Sequence, residues 1–472
     1  MEIAAAGSPA VDRSVVRPEL VQPAIAQPDA LPIRVLWAYA LPSAGQAFMG
    51  ILFTLYLMKF STDVLLIAPL AMGTLLTLAR FWDGVSDPAA GYLSDRTRSR
   101  LGRRRSWMIF AALPLTFALV MLWSPPRSLE GAALVLWMAV ALLVYETAST
   151  AFGIPHSALG VELTPHYHER TRLFGYRHLI GAIGTISGLG AYWLMSHSAD
   201  PRNAALWFAL VGGSAFACLV LYAVRRVPER ADSTIPAASP MASLSDVAQN
   251  PHARLLVLVY AIENFGSASI GMLTPFVTQY VIKVPDLTVP IILLFAVPQF
   301  ALTPLWIHLA RRFGKKTLWT YSMGATAAGF AALSFVPEGP SFAIFALPFL
   351  LGVASGCGAV VSPSVQADVI DYDEYRTGER KEGAYLAVFN LVRKCAGALP
   401  AGLTGVALAV TGFVPNVEQS EETKLAMRAI TGFAPAICYL IGTLVFLRFA
   451  FNEAEHAEVR RALDARRAAS RA

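Results

Sequence analysis

Residues 66–105 read LIAPLAMGTLLTLARFWDGVSDPAAGYLSDRTRSRLGRRR, an apolar run that ends in a cluster of arginines. The run from 66 to 93 is long enough for a transmembrane helix, which needs about 20 predominantly apolar residues. The arginines after it are typical of a loop on the cytoplasmic side of a membrane. This stretch therefore predicts a spanning helix whose carboxyl end faces the cytoplasm. It also places carboxylates inside that helix.

Apolar runs of similar length recur along the whole chain. The chain has 472 residues, of which 55% are hydrophobic and 15% charged, with a mean hydropathy of +0.52, and this balance lies well outside that of a soluble domain. Short basic clusters between apolar runs explain the net charge of +6 better than binding to a nucleic acid does. We predict twelve spans, at 34–60, 66–93, 106–124, 131–156, 173–196, 204–224, 254–282, 288–310, 317–336, 341–367, 383–412 and 429–450.

The predicted spans alternate in direction, so that the basic loops fall on one side. Basic clusters at 96–105, 225–230 and 311–316 follow spans 2, 6 and 8, and the positive-inside rule places these loops and both termini in the cytoplasm. Residues 1–30 lack the apolar core of a secretory signal, so we expect a disordered cytoplasmic tail. The expected domains are that tail, a six-helix bundle at 31–225, a cytoplasmic linker at 226–253, a second six-helix bundle at 254–450 and a cytoplasmic tail at 451–472.

The two predicted halves share a pattern at the ends of corresponding spans. Span 2 ends in Gly91-Tyr-Leu-Ser-Asp95-Arg, and span 8 ends in Ala310-Arg-Arg-Phe-Gly314-Lys-Lys. Two six-helix halves with a solute site between them near the bilayer midplane are typical of the major facilitator fold. The expected fold class is therefore an all-α membrane protein with twelve transmembrane helices in two pseudo-symmetric six-helix bundles.

The carboxylates within span 2 are the first candidate functional site. A charge inside a membrane span costs about 2.5 to 3.5 kcal/mol on insertion scales, so each is a candidate functional residue. Asp83 and Asp87 are four residues apart and share one helix face. With the Ser86 hydroxyl and a backbone carbonyl freed by Pro88, they can bind one hard cation such as Na⁺. The pair can equally carry a proton, and Asp83 can alternatively form a structural pair with Arg80.

Three motifs follow one another along the chain, the first in and after span 2, the second entering span 5 and the third before span 11. They are Arg80-Phe-Trp-Asp83-x3-Asp87-Pro88-x2-Gly91-x3-Asp95-x-Thr97-x-Ser99-Arg100-x-Gly102-Arg103, Glu169-Arg170-Thr171-x-Leu173-x2-Tyr176-Arg177 and Ala367-Asp368-x2-Asp371-Tyr372-x-Glu374-x2-Thr377-Gly378-x-Arg380-x-Glu382-Gly383. With them the chain resembles the glycoside-pentoside-hexuronide:cation symporter family, of the melibiose permease type. The resemblance covers nearly the whole chain and implies a cation-coupled transporter.

The resemblance implies roles for residues on four spans. It assigns the coupling cation to Asp83 and Asp87, with the Thr150 hydroxyl on span 4 joining them. It also places Arg177 on span 5 near the solute and Lys394 on span 11 near both the cation and the solute. Lys394 lies near the bilayer centre, where a lone ammonium needs a partner such as these aspartates, unless it snorkels to the interface. For Arg177, a positive-inside anchor is an equally good interpretation.

The chain departs from the family where melibiose-type members carry two sugar-binding carboxylates and a stacking tryptophan. Alignment places the carboxylate positions at Ala47 and Gly153 and the tryptophan position at Ser157, so the resemblance does not extend to galactoside specificity. Glu146 lies two turns before Gly153 on the same helix face and can replace the lost carboxylate. The predicted solute-binding residues are Arg177, Glu146, Gln46, Glu263 and Asn390, although any one of them can instead hold neighbouring helices together.

Charges at the cytoplasmic ends of the spans are candidates for gating. Asp95 ends span 2 beside the arginine-rich loop, where we expect a gating salt bridge. The opposite charges between 368 and 382 are expected to form a solvated latch. The predicted gating residues are Asp95, Arg170, Asp371, Glu374 and Arg380.

The remaining features favour a transporter over an enzyme. The sequence shows no nucleophile and base pair, no phosphate loop and no metal-ligand spacing among its four cysteines. We therefore expect no catalytic activity and no cofactor, but a monomeric inner-membrane symporter that couples Na⁺ or H⁺ to a sugar or glycoside-type solute by alternating access. Its expected partners are the solute, the cation and the lipid bilayer, without nucleic acid. The alternative is a lipid-like or amphipathic solute, because distant animal members of the superfamily resemble lysolipid carriers.

Overall fold

Twelve helical spans build the part of the molecule that the structure describes. The computed structural model describes residues 31–164, 167–229, 245, 247–378, 381–451 and 453–469, and these residues contain no β-strand. The twelve predicted spans are confirmed, most with ends within a few residues of those expected. In order they are Ile33–Ala40 with Pro42–Leu55 and Leu57–Asp63, Pro69–Arg96, Arg103–Trp123, Gly131–Leu163, Tyr167–Ser196, Pro201–Arg226, Pro251–Phe276, Thr288–Ala301 with Thr303–Phe313, Lys315–Leu333, Phe342–Thr377, Glu382–Val410, and Glu421–Arg428 with Ala434–Leu447.

Most of these spans are apolar enough to cross a membrane. Within the described ranges, nine helices meet the length and hydropathy expected of a span, or ten when the two helices of span 8, bent by 51°, are counted as one. Spans 2 and 9 complete the twelve and are more polar. Span 2 falls short because it carries charged side chains, and a helix of this kind is stable in a bilayer only when its charges face the interior of a bundle.

Two hydrophobic cores organise the helices into two halves. One core is built mainly from spans 1–6, with Leu36 and Phe152 among its fully buried side chains. The other is built from spans 7–12, with Trp319 and Phe446 buried in it. We call the end that carries the basic loops the basic end and the opposite end, which carries the loops at 64–68, 282–287 and 411–420, the far end. Side chains of spans 7 and 11 join the first core at the far end, so the halves pack together there.

Hydrogen bonds also join the two halves at the far end. The Tyr280 hydroxyl donates to Asp63 Oδ2 at 2.7 Å and accepts from the Asn416 backbone N–H at 3.1 Å. The Asn416 side chain donates to the Asp63 carbonyl at 2.8 Å. Asp63 also pairs with Lys59 one turn earlier on span 1. These residues form what we call the far-end cluster: Lys59, Asp63, Tyr280 and Asn416.

Spans 2 and 11 approach each other closely across the two halves. A Cβ atom on Gly73 would lie 2.6 Å from the Ala401 carbonyl oxygen and 2.9 Å from Gly405 Cα. Only glycine permits this approach, because any side chain at position 73 would collide with backbone atoms of span 11. The contact fixes the register in which the charged part of span 2 meets span 11.

The carboxyl-terminal segment contains a helix where the sequence indicated only a tail. Residues 453–469, expected only as a tail, form a helix (Glu453–Ala469). This helix lies against the basic end of span 10, where Arg466 donates to the Tyr375 carbonyl at 2.8 Å. The predicted disordered tail at 1–30 and linker residues 230–244 and 246 lie outside the described residues.

Candidate functional site

The carboxylates of span 2 face a lysine from the other half of the molecule. Lys394 Nζ on span 11 lies 2.6 Å from Asp87 Oδ2 and 3.3 Å from Asp83 Oδ2. The Asp83 side chain is 2% exposed, whereas those of Asp87 and Lys394 are each 23% exposed. The structure therefore brings these three predicted residues together at the interface between the halves, and it makes Lys394 the partner of both aspartates.

Hydroxyl groups of spans 2 and 4 complete this arrangement. Thr150 Oγ1 donates to Asp87 Oδ1 at 2.9 Å, and Ser86 Oγ donates to Thr150 Oγ1 at 3.4 Å. The described residues hold no group of three or more His, Cys, Asp or Glu side chains placed for a metal ion. A cation bound here would therefore be held by the aspartate pair and by hydroxyl oxygens, which suit hard cations such as Na⁺.

A second cation lies on the other side of Asp83. Arg80 Nη1 is 3.6 Å from Asp83 Oδ2 and 3.3 Å from Glu146 Oε1 on span 4. The guanidinium also stacks on the Phe53 ring, 4.8 Å from its centroid. The sequence indicated the pairing of Arg80 with Asp83 as an alternative to cation binding. The structure shows that Arg80 and Lys394 approach the same oxygen of Asp83.

Polar residues of spans 1, 4 and 5 meet at a separate place. Gln46 Nε2 lies 3.2 Å from where a Cβ of Gly153 would stand, so Gln46 fills the space beside the position of a missing family carboxylate. One turn further along span 4, Ser157 accepts from Arg177 Nη1 at 3.2 Å. Arg177 Nη1 also lies 3.5 Å from the Tyr39 hydroxyl. Gln46, Ser157 and Arg177 therefore form a polar group, which we call the span 1-4-5 group.

Two predicted solute-binding residues lie in the second half. Glu263 accepts from Trp319 Nε1 at 2.6 Å, and its Oε1 would be 2.5 Å from a Cβ of Gly358. Its carboxylate thus points between spans 7, 9 and 10, away from the aspartate pair. Asn390 is exposed and precedes Lys394 by one turn of span 11, so it shares the helix face of that lysine.

Two of the predicted gating residues, Asp95 and Asp371, form ion pairs within their own halves. Asp95 forms an ion pair with Arg104, which also reaches Glu162 at 3.1 Å. Asp371 lies 3.2 Å from His456 and 3.4 Å from Arg460 of the helix that follows span 12. Glu374 lies near the end of span 10. The Arg170 side chain and Arg380 fall outside the described residues.

Sequence reasoning missed the far-end cluster. The one available signal was the charge of Asp63 at the end of an apolar span, which makes such a residue a functional candidate. Nothing in the sequence connected it to Tyr280, because the two residues are 217 positions apart. Glycine 73 carried no signal either, since a glycine in a membrane helix is common.

Two six-helix halves with buried charges at their interface are typical of transporters of the major facilitator type. The chain belongs to the family described as MFS/sugar transport protein, whose model matches residues 38–453. The chain is thus a multi-pass membrane protein and a major facilitator symporter, which moves a solute together with a cation. The family resemblance found in the sequence is confirmed.

Curated relatives support this assignment along most of their length. The chain is 27% identical to the inner membrane symporter YicJ of Escherichia coli, over 86% of this chain and 89% of the relative. It is 26% identical to the putative sulfoquinovose importer of the same organism, over 88% and 90%. It is also 23% identical to the sodium-dependent lysophosphatidylcholine symporter 1-B of Danio rerio, over 91% and 89%. Two of these relatives are named symporters, and the two solutes that the names give, sulfoquinovose and lysophosphatidylcholine, differ chemically.

Solved structures share the fold. The nucleoside transporter NupG superposes with a TM-score of 0.64 at 12% identity, over 89% of this chain and 100% of that chain. A bacterial homologue of the human lysosomal transporter Spinster, in an inward-facing and unoccupied conformation, gives a TM-score of 0.64 at 15% identity, over 90% and 100%. At these identities the likeness concerns the fold alone, and it confirms the expected fold class.

Proposed function

We propose that this protein couples the entry of Na⁺ or H⁺ to the uptake of a sugar or glycoside-type solute. The observation that carries the proposal is the position of Lys394, whose ammonium lies within 3.3 Å of both Asp83 and Asp87. An ammonium from one half bound to two carboxylates of the other is a built-in competitor for a coupling cation. The cation would be held by Asp83, Asp87, Thr150 and Ser86.

Competition at this site links cation binding to the arrangement of the halves. When Lys394 holds both aspartates, it ties span 11 to span 2. A cation that takes its place neutralises the same carboxylates from within the first half alone. The equilibrium between conformations then shifts by the difference in cation affinity between them. On this proposal, the basic end faces the cytoplasm of a bacterial inner membrane, in accord with the positive-inside rule, and one chain is the functional unit.

The span 1-4-5 group is the proposed contact for the solute. Arg177 reaches two hydroxyls, and no carboxylate is among its hydrogen-bond or ion-pair partners in the part of the chain that the structure describes. A guanidinium at membrane depth is stabilised by an anionic partner. The group therefore favours sugars that carry an acidic substituent over neutral glycosides, and Gln46 supplies an amide for their hydroxyls.

The proposed coupling is tested by counterflow and gradient-driven uptake in proteoliposomes. The panel consists of methyl glucoside, methyl glucuronide and lysophosphatidylcholine, each with a Na⁺ or a pH gradient. We expect Asp83→Asn and Asp87→Asn to abolish gradient-driven uptake of the transported solute, while Asp464→Asn, at an exposed position of the helix after span 12, leaves it unchanged. Undiminished gradient-driven uptake in both span 2 variants would show the proposed cation site to be wrong.

The same panel separates the two solute classes. A lysolipid is the alternative solute, because a relative with 89% of its length matched is named a lysophosphatidylcholine symporter and the family's sugar-binding carboxylates are absent. Uptake of lysophosphatidylcholine without uptake of either sugar would favour this alternative. Uptake of methyl glucuronide would support an acidic sugar as the transported solute.

A further inference from the structure

Five charged side chains form a row across the interface between the halves. Glu146 on span 4 contacts Arg80, Arg80 approaches Asp83, Asp83 faces Lys394, and Lys394 pairs with Asp87. Charge alternates along the row, which begins and ends with a carboxylate. Three carboxylates and two basic groups leave one negative charge in excess.

The excess charge is buried. Glu146 is 4% exposed and Asp83 1% exposed. Asp83 Oδ1 and Glu146 Oε1 have no hydrogen-bond partner among the described residues, although Glu146 Oε1 lies 3.3 Å from Arg80. A buried carboxylate oxygen without a partner is costly unless a ligand satisfies it. The row as a whole is therefore short of one positive charge.

Aromatic rings fix the direction of Arg80. Its guanidinium lies over the Phe53 ring, and Phe53 stacks on Tyr145 with ring centroids 5.1 Å apart. Tyr145 is the neighbour of Glu146 on span 4. This stack holds Arg80 beside Glu146, at 3.3 Å, with Asp83 slightly further away, at 3.6 Å.

We infer that Glu146 belongs to the cation site, where it draws Arg80 away from Asp83 and supplies the negative charge that one monovalent cation neutralises. Glu146 is then a positioning residue: it acts through Arg80 and does not ligate the cation. This inference rests on the proposed function, since it concerns the same coupling site. It replaces the prediction that Glu146 contacts the solute in place of a lost carboxylate.

The surroundings of Glu146 agree with this role. The charged or titratable groups that act on it are Arg80, Asp83 and Asp87 from span 2 and Lys394 from span 11, and its sequence neighbour Tyr145 lies beside it on span 4. These are the members of the row and its aromatic support. The place beside Gly153, two turns away, is filled by Gln46. The space beside the position of the lost carboxylate is thus occupied by another residue than Glu146.

The charge balance can be tested with purified full-length protein and Na⁺ as the probe, by thermal stabilisation. If protons drive uptake in the wild type, the Na⁺ titration is replaced by a pH titration without Na⁺. We expect Glu146→Gln to raise the half-saturating Na⁺ concentration about tenfold or more, because one charge of the buried row is lost. Glu146→Asp keeps the charge and should stay within about threefold of the wild type. Glu130→Gln, at the exposed start of the same helix, is the matched control and should match the wild type.

The double variant Arg80→Gln with Glu146→Gln is decisive, because it removes both ends of one ion pair. Two aspartates and Lys394 then restore the single excess negative charge, so Na⁺ affinity should recover to within about threefold of the wild type. Solute affinity at saturating Na⁺, measured with methyl glucuronide or whichever panel solute the wild type transports, should be unchanged in Glu146→Gln.

Two results would overturn the inference. One is a loss of solute affinity in Glu146→Gln with unchanged Na⁺ dependence, which would identify a solute contact. The other is a double variant no better than Glu146→Gln, which would exclude a role through Arg80. Failure of the proposed function looks different, since the wild-type protein would then respond neither to Na⁺ nor to pH.

Discussion

Replacing Tyr280 by phenylalanine should open the far end of the protein. The Tyr280 hydroxyl donates to the Asp63 carboxylate at 2.7 Å and accepts from the Asn416 N–H at 3.1 Å. It therefore joins the first half to the second directly. The phenylalanine ring keeps the packing of a side chain that is 5% exposed and removes both hydrogen bonds. Alternating access requires the halves to separate at this end, so the lost contacts weaken the closed arrangement alone.

The size of the effect follows from the two bonds. A hydrogen bond to a charged group contributes about 1.5 to 3 kcal/mol and a neutral one about 0.5 to 1.5 kcal/mol. Asp63 keeps its ion pair with Lys59 in the variant. The free energy lost with both hydrogen bonds therefore lies near the lower end of their summed range, at about 2 kcal/mol. Since about 1.4 kcal/mol is a tenfold change in an equilibrium constant, the population open at the far end should rise about 30-fold.

Cys395, the neighbour of Lys394 on span 11, provides the reporter. Cys395 is partly buried and lies near Asp83. In a variant that keeps Cys395 and replaces the other three cysteines, we expect a membrane-impermeant maleimide added to intact cells to reach this thiol only when the far end is open. We expect Tyr280→Phe to raise the labelling rate about 30-fold. Tyr321→Phe is the control, because Tyr321 is 75% exposed. Equal labelling in the two variants would refute the role of the far-end cluster as a closing contact.

Three further changes test the same structure. His197 lies 2.9 Å from Asp286 of the other half, and hydrogen bonding to that carboxylate raises the pKa of His197. The ion pair is therefore complete below the ordinary histidine pKa of about 6.5 and is lost as pH rises through the raised pKa. Labelling of Cys395 from the far end, measured relative to His197→Gln, should therefore increase at alkaline pH. Gly73→Val places side-chain atoms against backbone of span 11, where even a Cβ would lie within 2.6 Å, and should increase the same labelling, whereas Gly50→Val, with open space around it, should not. Arg177→Gln should lower the affinity for methyl glucuronide about tenfold or more and change that for methyl glucoside little, as measured by competition in counterflow.

The sequence predicted the architecture because membrane helices are determined by local composition. Most spans are continuous apolar runs, and lipid requires each of them to be helical whatever its neighbours are. The aspartate pair could be predicted for the same reason, because a carboxylate within an apolar run is costly in a membrane and is therefore a functional candidate. Lys394 was placed with it by depth in the membrane and by the family resemblance.

Relations between distant side chains could not be predicted in this way. Glu146 carried a clear signal as a buried charge, but its partner depends on which helix face meets span 2, and the structure shows Arg80 there at 3.3 Å. Asp371 was expected in a gating latch, and the structure shows it in ion pairs with a helix that the sequence indicated only as a tail. In both cases the charge was visible and the partner was decided by packing.

Spans 2 and 11 carry both the ion pairs of the site and the close contact that holds the halves together at the far end. Gly73 and Asp83 are separated by about 15 Å along one helix axis, and each meets span 11, one through backbone contact and the other through Lys394. On the proposed function, a cation that displaces Lys394 loosens the same pair of helices whose contact must open at the far end. Coupling then needs no chain of intermediate residues, because one interface responds to both events and its equilibrium is shifted by the cation's differential affinity.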